Sequence, residues 1–349
     1  MSLQIAIIGA TGYTGSELVR LLKDHPDVTI QSITSESYRG QKFSDVHPQF
    51  LGIEDQVLVS AQEAVAKNPD VLFLALPHGV SMSYVKDFGE SQAKIIDLSG
   101  DFRLSTPQVY ESWYHKEHIY PQGFDKAAYG LPELHKEAIT SANLVANPGC
   151  YPTSGILATA PLIKAGLIDP NQVIVDAKSG ITGAGAKAKD GNMYSNVNEN
   201  FKAYKLKNHR HTVEIEEQLS GVGGQPATVQ FTPHLLPIDR GILATVYAQP
   251  TPAAAETQDL TSHLQKVYQE FYQDAPFVRM RTSGPGVKDV RGSNFCDIFV
   301  TYDERTNRII ALAAIDNLVK GAAGQAMHNM NLMCGLPETR GFTGAPLKP

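Results

Sequence analysis

The residues best suited to chemistry surround Cys150, in "ANPGCYPTSG" (Ala146–Gly155). Glycine and proline on both sides force a tight turn. The residues that follow, Thr153 to Leu167, predict a helix with Ile156, Leu157, Ala160 and Ile163 on one face. Pro152 suits the first helical turn, where its missing N–H costs nothing. Cys150 is therefore expected at or just before a helix N-terminus, where free amides and the helix dipole favour a thiolate. The competing reading is a small buried apolar side chain beside a turn.

A second candidate lies at the start of the chain. Gln4–Ile8 is a short apolar run of the kind a buried parallel strand needs, followed by "GATGYTG" (Gly9–Gly15) and a helical pattern carrying Leu18, Leu21 and Leu22. Strand, glycine turn and helix in that order suit a dinucleotide: Gly9 and Gly12 permit a tight turn and close backbone approach, and the helix N-terminus offers amides to a pyrophosphate. The spacing G-x-x-G-x-x-G departs from the commoner G-x-G-x-x-G. After the second predicted strand, Val28–Ile33, come Thr34, Ser35, Ser37 and Arg39, which suit a 2′-phosphate and favour NADP(H); Glu36 argues for a free ribose hydroxyl. Asp70–Gly79 and Lys94–Arg103 predict further parallel strands, which puts His78, Ser99 and Arg103 where such sheets bind ligands.

Elements must position these residues, and the composition bounds which ones. A chain of 349 residues suggests two domains, and its net charge of −6 with no basic patch excludes a nucleic-acid binder as the first expectation. Three separated cysteines (Cys150, Cys296, Cys334) give neither a disulfide framework nor a metal spacing, so no metal is expected. The start, "LQIAIIG", has no basic region or cleavage site, and no apolar run reaches the roughly 20 residues of a membrane span. The expectation is a soluble cytoplasmic protein without membrane partners. Beyond Cys150, the segments Val173–Lys178, Thr228–Leu236, Ile242–Gln249 and Phe295–Tyr302 have the β-branched and aromatic content of antiparallel strands. A long polar stretch separates the first two, and such loops in compact domains are usually functional. Val319, Ala322, Ala323, Ala326, Met330 and Met333 follow helical spacing, with Gly335 as the cap.

Taken together, "GATGYTGSELVRLL", "FLALPHG", "DLSGDFRL", "YGLPEL", "NPGCYPT", "SGITGAG", the His-Arg-His run at 209–211, "FTPHLLPIDRGIL", "VRGSNFCDI" and "DNLVKGAAGQAMHNMN" resemble the N-acetyl-γ-glutamyl-phosphate reductases. These are the arginine-pathway members of the aspartate-semialdehyde dehydrogenase-like enzymes. The resemblance covers nearly the whole chain. It implies an α/β Rossmann dinucleotide-binding domain (1–149 plus 313–349) with an inserted α+β catalytic and oligomerisation domain (150–312) built on a mixed or antiparallel sheet. It also implies a homodimer or homotetramer. Cys150 is then the nucleophile, with His209 and His211 dividing acid/base and substrate-contact roles that the spacing does not apportion. Gly9, Thr11, Gly12, Tyr13, Thr14 and Gly15, with Ser35, Ser37, Arg39, Ser179, Gly180, Asn317 and Lys320, would hold NADP(H). Arg103, Asn147 and Lys187 would contact the acyl phosphate substrate. Val213 replaces the proline usual after the second histidine, and Ala186 stands where a basic residue often follows Gly-Ala-Gly, leaving that role to Lys187.

The implied chemistry is reduction of an acyl phosphate through a cysteine thioester, which accepts hydride far more readily than a carboxylate. Rival substrates are aspartyl phosphate or a lysine-pathway acyl phosphate one methylene longer, a difference worth only ~1–3 kcal/mol in a pocket. A non-catalytic NADP-sensing Rossmann protein would need no Cys150.

Overall fold

The computed structural model describes residues 2–89 and 91–348. The chain divides into two compact units, Met1–Pro148 with Ala322–Thr343, and Gly149–Gly321 with Gly344–Pro349.

The first unit is built on six parallel strands: β1 (Leu3–Ile8), β2 (Val28–Ile33), β3 (Val71–Leu74), β4 (Lys94–Asp97), β5 (Ala127–Tyr129) and β6 (Leu144–Ala146), in the order β2-β1-β3-β4-β6-β5. Alternation along the strands explains why both faces are covered. Ile5, Ile7, Val71 and Phe73 join a core with Leu18, Val19 and Leu22 of the helix Tyr13–Lys23, and with Ala326, Met327 and Met330 of the helix Gly324–Met333. Ala6, Ile8, Leu72 and Leu74 face the opposite way, against Met82 and Val85 of the helix Ser81–Phe88.

The second unit carries seven strands: β7 (Ile168–Gly180), β8 (Lys202–Ala203), β9 (Val229–Leu236), β10 (Ile242–Pro250), β11 (Val278–Met280), β12 (Cys296–Asp303) and β13 (Arg308–Ile315). Their order is β11-β12-β13-β10-β7-β9-β8. The sheet is mixed. β10 runs antiparallel to β7 and β13, whereas β7 and β9 pair in parallel. This corrects the antiparallel expectation for those two segments: the helix His211–Gly223 lies between them in sequence and supplies the crossover a parallel pair requires. β13, "RIIALAAI", was not anticipated; position 313 falls inside it, where Ala313 pairs with both Ala244 and Ile298.

The helix Cys150–Lys164 packs on β7, β10 and β13 and against the helix Leu260–Phe271. It is buried from Tyr151 to Ile163 although it contains Pro161. An interior proline removes the amide that would reach the carbonyl four residues earlier. That carbonyl, Leu157 O, instead accepts the Tyr272 hydroxyl at 2.6 Å, and Ala158 O accepts the Tyr268 hydroxyl at 2.5 Å. Near the end of the chain, a π-helical turn, Val319–Ala323, precedes the α-helix Gly324–Met333, where one uninterrupted helix was expected. Gly335, at φ +70°, closes that helix by donating its N–H to Leu332 O at 3.1 Å. Among the described residues, no helix is long and apolar enough to cross a membrane.

Candidate active site

The cysteine helix begins at Cys150 itself, three residues earlier than the expected Thr153 start, and ends at Lys164. Gly149 is its N-cap and, having no side chain, makes no cap bond of its own; no acidic residue stands in the first turn. Cys150 is partly exposed, whereas Cys296 is buried and burial pushes the Cys334 thiol up to about 11. The Gly149 N–H, one residue before the cysteine, donates to the Glu214 carboxylate at 2.8 Å. Glu214 is only 1% exposed and sits in the first turn of the helix His211–Gly223. One helix thus carries His211 at its start and, three residues on, the carboxylate that ties down the cysteine turn.

The histidine run does not form an exposed loop. His209 is 7% exposed, enclosed by Tyr151 (5.8 Å between ring centroids), Tyr204 (5.4 Å), Phe231 (5.4 Å) and His211 (4.7 Å). Burial, reinforced by Lys205 and Arg210, pulls its pKa down to about 3, so the ring is neutral. Its Nδ1 accepts the His211 N–H at 3.1 Å, which leaves the proton on Nε2. Tyr151 reaches His211 as well, at 5.9 Å, and its hydroxyl donates to His234 O at 2.8 Å. Burial raises the phenols of Tyr151 and Tyr204, the latter to about 12. The π-helical turn closes the other side: a Cβ at Gly321 would lie 2.8 Å from Cys150 Cβ and 3.2 Å from its Cα. Glu214, Tyr151, Tyr204 and Gly321 escaped the sequence reading. Only Glu214 had a local signal, an acid in the first turn of the helix that starts at His211.

Four residues assigned to the cofactor by resemblance are knitted into the second unit. Ser179 is 1% exposed and its hydroxyl donates to Gly180 O at 2.9 Å. At Gly180 a side chain would meet Asp239 O at 2.7 Å. The Asn317 Oδ1 accepts the Gly241 N–H at 2.7 Å, and its Nδ2 donates to Thr182 Oγ1 at 2.9 Å. Asn317 therefore joins the turn Ile181–Ala184 to the turn before β10. Lys320 has no exposed surface and its ammonium lies 5.7 Å from the Phe277 ring centroid. Lys187 is exposed on the polar segment after that turn.

In the first unit, the turn between β1 and the helix Tyr13–Lys23 gives each glycine a different task. Gly9 adopts φ +85°, and a Cβ there would strike Ala75 O at 2.5 Å. At Gly15 a Cβ would meet Gly9 O at 2.4 Å and Ala10 Cα at 2.7 Å, so this glycine lets helix and strand approach. Around Gly12, the helix N-cap, a Cβ would find only Gly9 O, at 3.9 Å, and no side chain caps that helix end. Uncapped amides beside open space fit a pyrophosphate. Thr11 Oγ1 lies 3.0 Å from Ser35 Oγ. Ser35 is buried, while Tyr13, Ser37 and Arg39 are exposed and Thr14 is partly exposed. Arg103, 6% exposed, donates through Nε to Asn147 O at 2.7 Å and through Nη2 to Leu98 O at 2.8 Å. Asn147 is itself fully buried, donating to Ala322 O at 3.2 Å and accepting from Asn329 at 3.0 Å. Arg103 and Asn147 thus brace the strand that leads towards Cys150. Among the described residues, no group of three or more His, Cys, Asp or Glu side chains could hold a metal.

Two family models cover the chain in order: the semialdehyde dehydrogenase NAD binding domain over residues 4–142 and the semialdehyde dehydrogenase dimerisation domain over residues 150–317. The chain is 50% identical over 351 aligned residues to the N-acetyl-gamma-glutamyl-phosphate reductase of Geobacter metallireducens, covering 99% of this chain and 100% of that one. It is 48% identical to the reductase of the same name from Pelotomaculum thermopropionicum, covering 100% of both. Among solved structures, aspartate semialdehyde dehydrogenase II of Vibrio cholerae superposes with a TM-score of 0.72 at 16% identity, over 96% of this chain and 99% of that one. The Candida albicans aspartate semialdehyde dehydrogenase with NADP gives 0.68 at 15% identity, over 96% and 99%. The structural likenesses establish the fold, the end-to-end identities establish the branch, and the chain belongs to the N-acetyl-gamma-glutamyl-phosphate reductases of the semialdehyde dehydrogenase family.

Proposed function

We propose that this chain reduces N-acetyl-γ-glutamyl phosphate to N-acetyl-glutamate semialdehyde with release of phosphate, an NADPH-dependent step of arginine biosynthesis in the cytoplasm. The observation that carries the catalytic assignment is the placement of Cys150. It is a partly exposed cysteine at the first position of a 15-residue helix, tied through Gly149 to the helix that starts at His211.

The Cys150 thiolate attacks the acyl carbon; the carbon–oxygen bond breaks and phosphate leaves with the electron pair, giving a thioester. Phosphate is a good anionic leaving group, so this half needs no proton at the leaving oxygen. The Gly9–Gly15 turn, Ser37 and Arg39 would hold NADPH, which would supply the hydride. The thioester carbon then carries an oxyanion, and collapse to the aldehyde expels Cys150 sulfur. His211 is the group assigned to hold and return the proton of the thiol in this cycle. His209 is unsuited to that task, because its buried ring resists protonation. It serves by fixing the His211 backbone and packing against Tyr151. Arg103 and Asn147 support the approach to the cysteine, and Lys187 remains the exposed cation available to the phosphate. The dimerisation domain supports a homodimer or homotetramer.

Rapid mixing with acyl phosphate, combined with steady-state kinetics, tests the assignment. Cys150→Ala should lose turnover and acylation while keeping cofactor affinity. His211→Ala should still acylate but complete reduction ~10²–10⁴-fold more slowly. Full turnover by Cys150→Ala would overturn the covalent route, and full turnover by His211→Ala would overturn the proton assignment.

A further inference from the structure

Arg39, the exposed cation after β2, is already partnered. Its Nη2 lies 2.8 Å from Glu63 Oε1, with the two side chains 55% and 50% exposed. Glu63 does not swing freely with it. Its other oxygen accepts the Ser60 N–H at 2.7 Å and the Ser60 hydroxyl at 2.8 Å, while the Ser60 hydroxyl accepts the Glu63 N–H at 3.2 Å. This reciprocal capping box starts the helix Ala61–Val65 and fixes the carboxylate in place. The Ser60 amide and hydroxyl, then Arg39, hold its pKa down to about 2, so the charge persists at every working pH. Ser35 is turned inward onto Thr11, whereas Ser37, Tyr38 and Arg39 are exposed.

A 2′-phosphate arriving at Arg39 must therefore share or displace an anchored carboxylate, whereas a ribose hydroxyl faces no such competition. We propose that Glu63 is a specificity-determining residue, a fixed competitor for Arg39 that moderates the preference for a 2′-phosphorylated dinucleotide. The inference rests on the assignment of Arg39 to that phosphate.

The test uses the full-length enzyme and the ligands 2′,5′-ADP and 5′-AMP, which differ at the 2′-phosphate, with affinities measured by calorimetry. NADPH and NADH kcat/KM values accompany them. Glu63→Gln preserves the capping geometry, since glutamine also closes a capping box, while removing the charge. It should tighten 2′,5′-ADP by about 2–5-fold, the scale of an exposed ion pair, and leave 5′-AMP unchanged. The NADPH:NADH ratio of kcat/KM should rise by the same factor. In an Arg39→Ala background the Glu63→Gln effect should vanish. Two results would overturn the inference while sparing the Arg39 assignment: no tightening by Glu63→Gln although Arg39→Ala abolishes discrimination, or equal weakening of both ligands, which is the mark of a purely structural cap. Discrimination that survives Arg39→Ala would instead overturn the assignment on which the inference rests.

Discussion

Replacing Gly321 by alanine tests the cysteine geometry without replacing any titratable group. The added methyl would sit 2.8 Å from Cys150 Cβ and 3.2 Å from Cys150 Cα. Carbon atoms in contact prefer about 3.5–4.0 Å, so the two backbones must separate by roughly 0.5–1 Å. Neither can yield by rotating a side chain, because the contacted atoms are a Cα and its own Cβ. One partner is the first residue of a helix pinned through Gly149 to Glu214, and the other lies in a turn whose N–H bonds Asp316 O at 2.9 Å. Overpacking of this kind costs about 1–3 kcal/mol. A misplacement of about 1 Å at a reacting atom costs on the order of 10²-fold in rate. Gly321→Ala should therefore lower kcat by about 10–100-fold, slow alkylation of Cys150 by iodoacetamide and reduce thermal stability, while the dissociation constant for NADP⁺ stays within about twofold. Gly221→Ala is the control: no atom lies within 4 Å of its Cβ position, it is helical and exposed, and it should be neutral or stabilising with full activity. Unchanged kcat and unchanged alkylation in Gly321→Ala would show that the turn and the cysteine are not held as described.

Other expectations follow from the same geometry. Tyr272→Phe removes the donor that replaces the amide missing at Pro161, so it should destabilise the protein by about 1–3 kcal/mol, measured by denaturant unfolding, with Michaelis constants unchanged. In the nucleotide turn, Gly15→Ala should impair folding because its Cβ would overlap Gly9 O, whereas Gly12→Ala should fold normally and weaken NADP⁺ binding, separable by melting curves and titration. His209 holds its pKa near 3 against 6.5 for a free histidine, so below 6.5 the unfolded chain binds a proton that the folded chain refuses. Its contribution is full above pH 6.5 and should be lost as pH falls from 6.5 towards 3, at up to ~1.4 kcal/mol per pH unit; His209→Phe should flatten that slope in pH-dependent unfolding, and an unaltered slope would refute the buried neutral assignment.

What the sequence could reveal was local. The β1 strand, its glycine turn and the helix after it were legible because a short apolar run, a glycine-rich turn and helical leucine spacing are written within some twenty consecutive residues. The cysteine helix was legible for the same reason, although its start was read three residues late: Pro152 was taken as a first-turn residue, but nothing local showed that Gly149 would serve as the cap. The strand β13 was missed because the residue types of "RIIALAAI" do not alternate between apolar and polar, although its burial does, and its pairing with Ala244 and Ile298 joins distant segments. The same limit explains the site. Glu214 acts on Gly149 across 65 residues, and Asn317 on Gly241 across 76. Both look, in sequence, like ordinary polar residues beside recognisable motifs.

The consequence reaches the functional assignment. The resemblance names Asn317 and Lys320 only as ligand contacts, yet Asn317 also bonds the Gly241 amide and the Thr182 hydroxyl, and Lys320 has no exposed surface. A residue whose hydrogen-bonding capacity is consumed internally acts by holding others in place. The same reasoning separates the two histidines, which the sequence treated as equivalent. His209 is walled by three aromatic rings besides His211 and has its Nδ1 committed to the His211 amide, so protonation would strand a charge where burial and two neighbouring cations oppose it. His211, partly buried at the start of its helix and three residues from the carboxylate that fixes Gly149, is the imidazole to which we assign the proton transfer. The division of labour we propose for them thus rests on burial and on one backbone hydrogen bond.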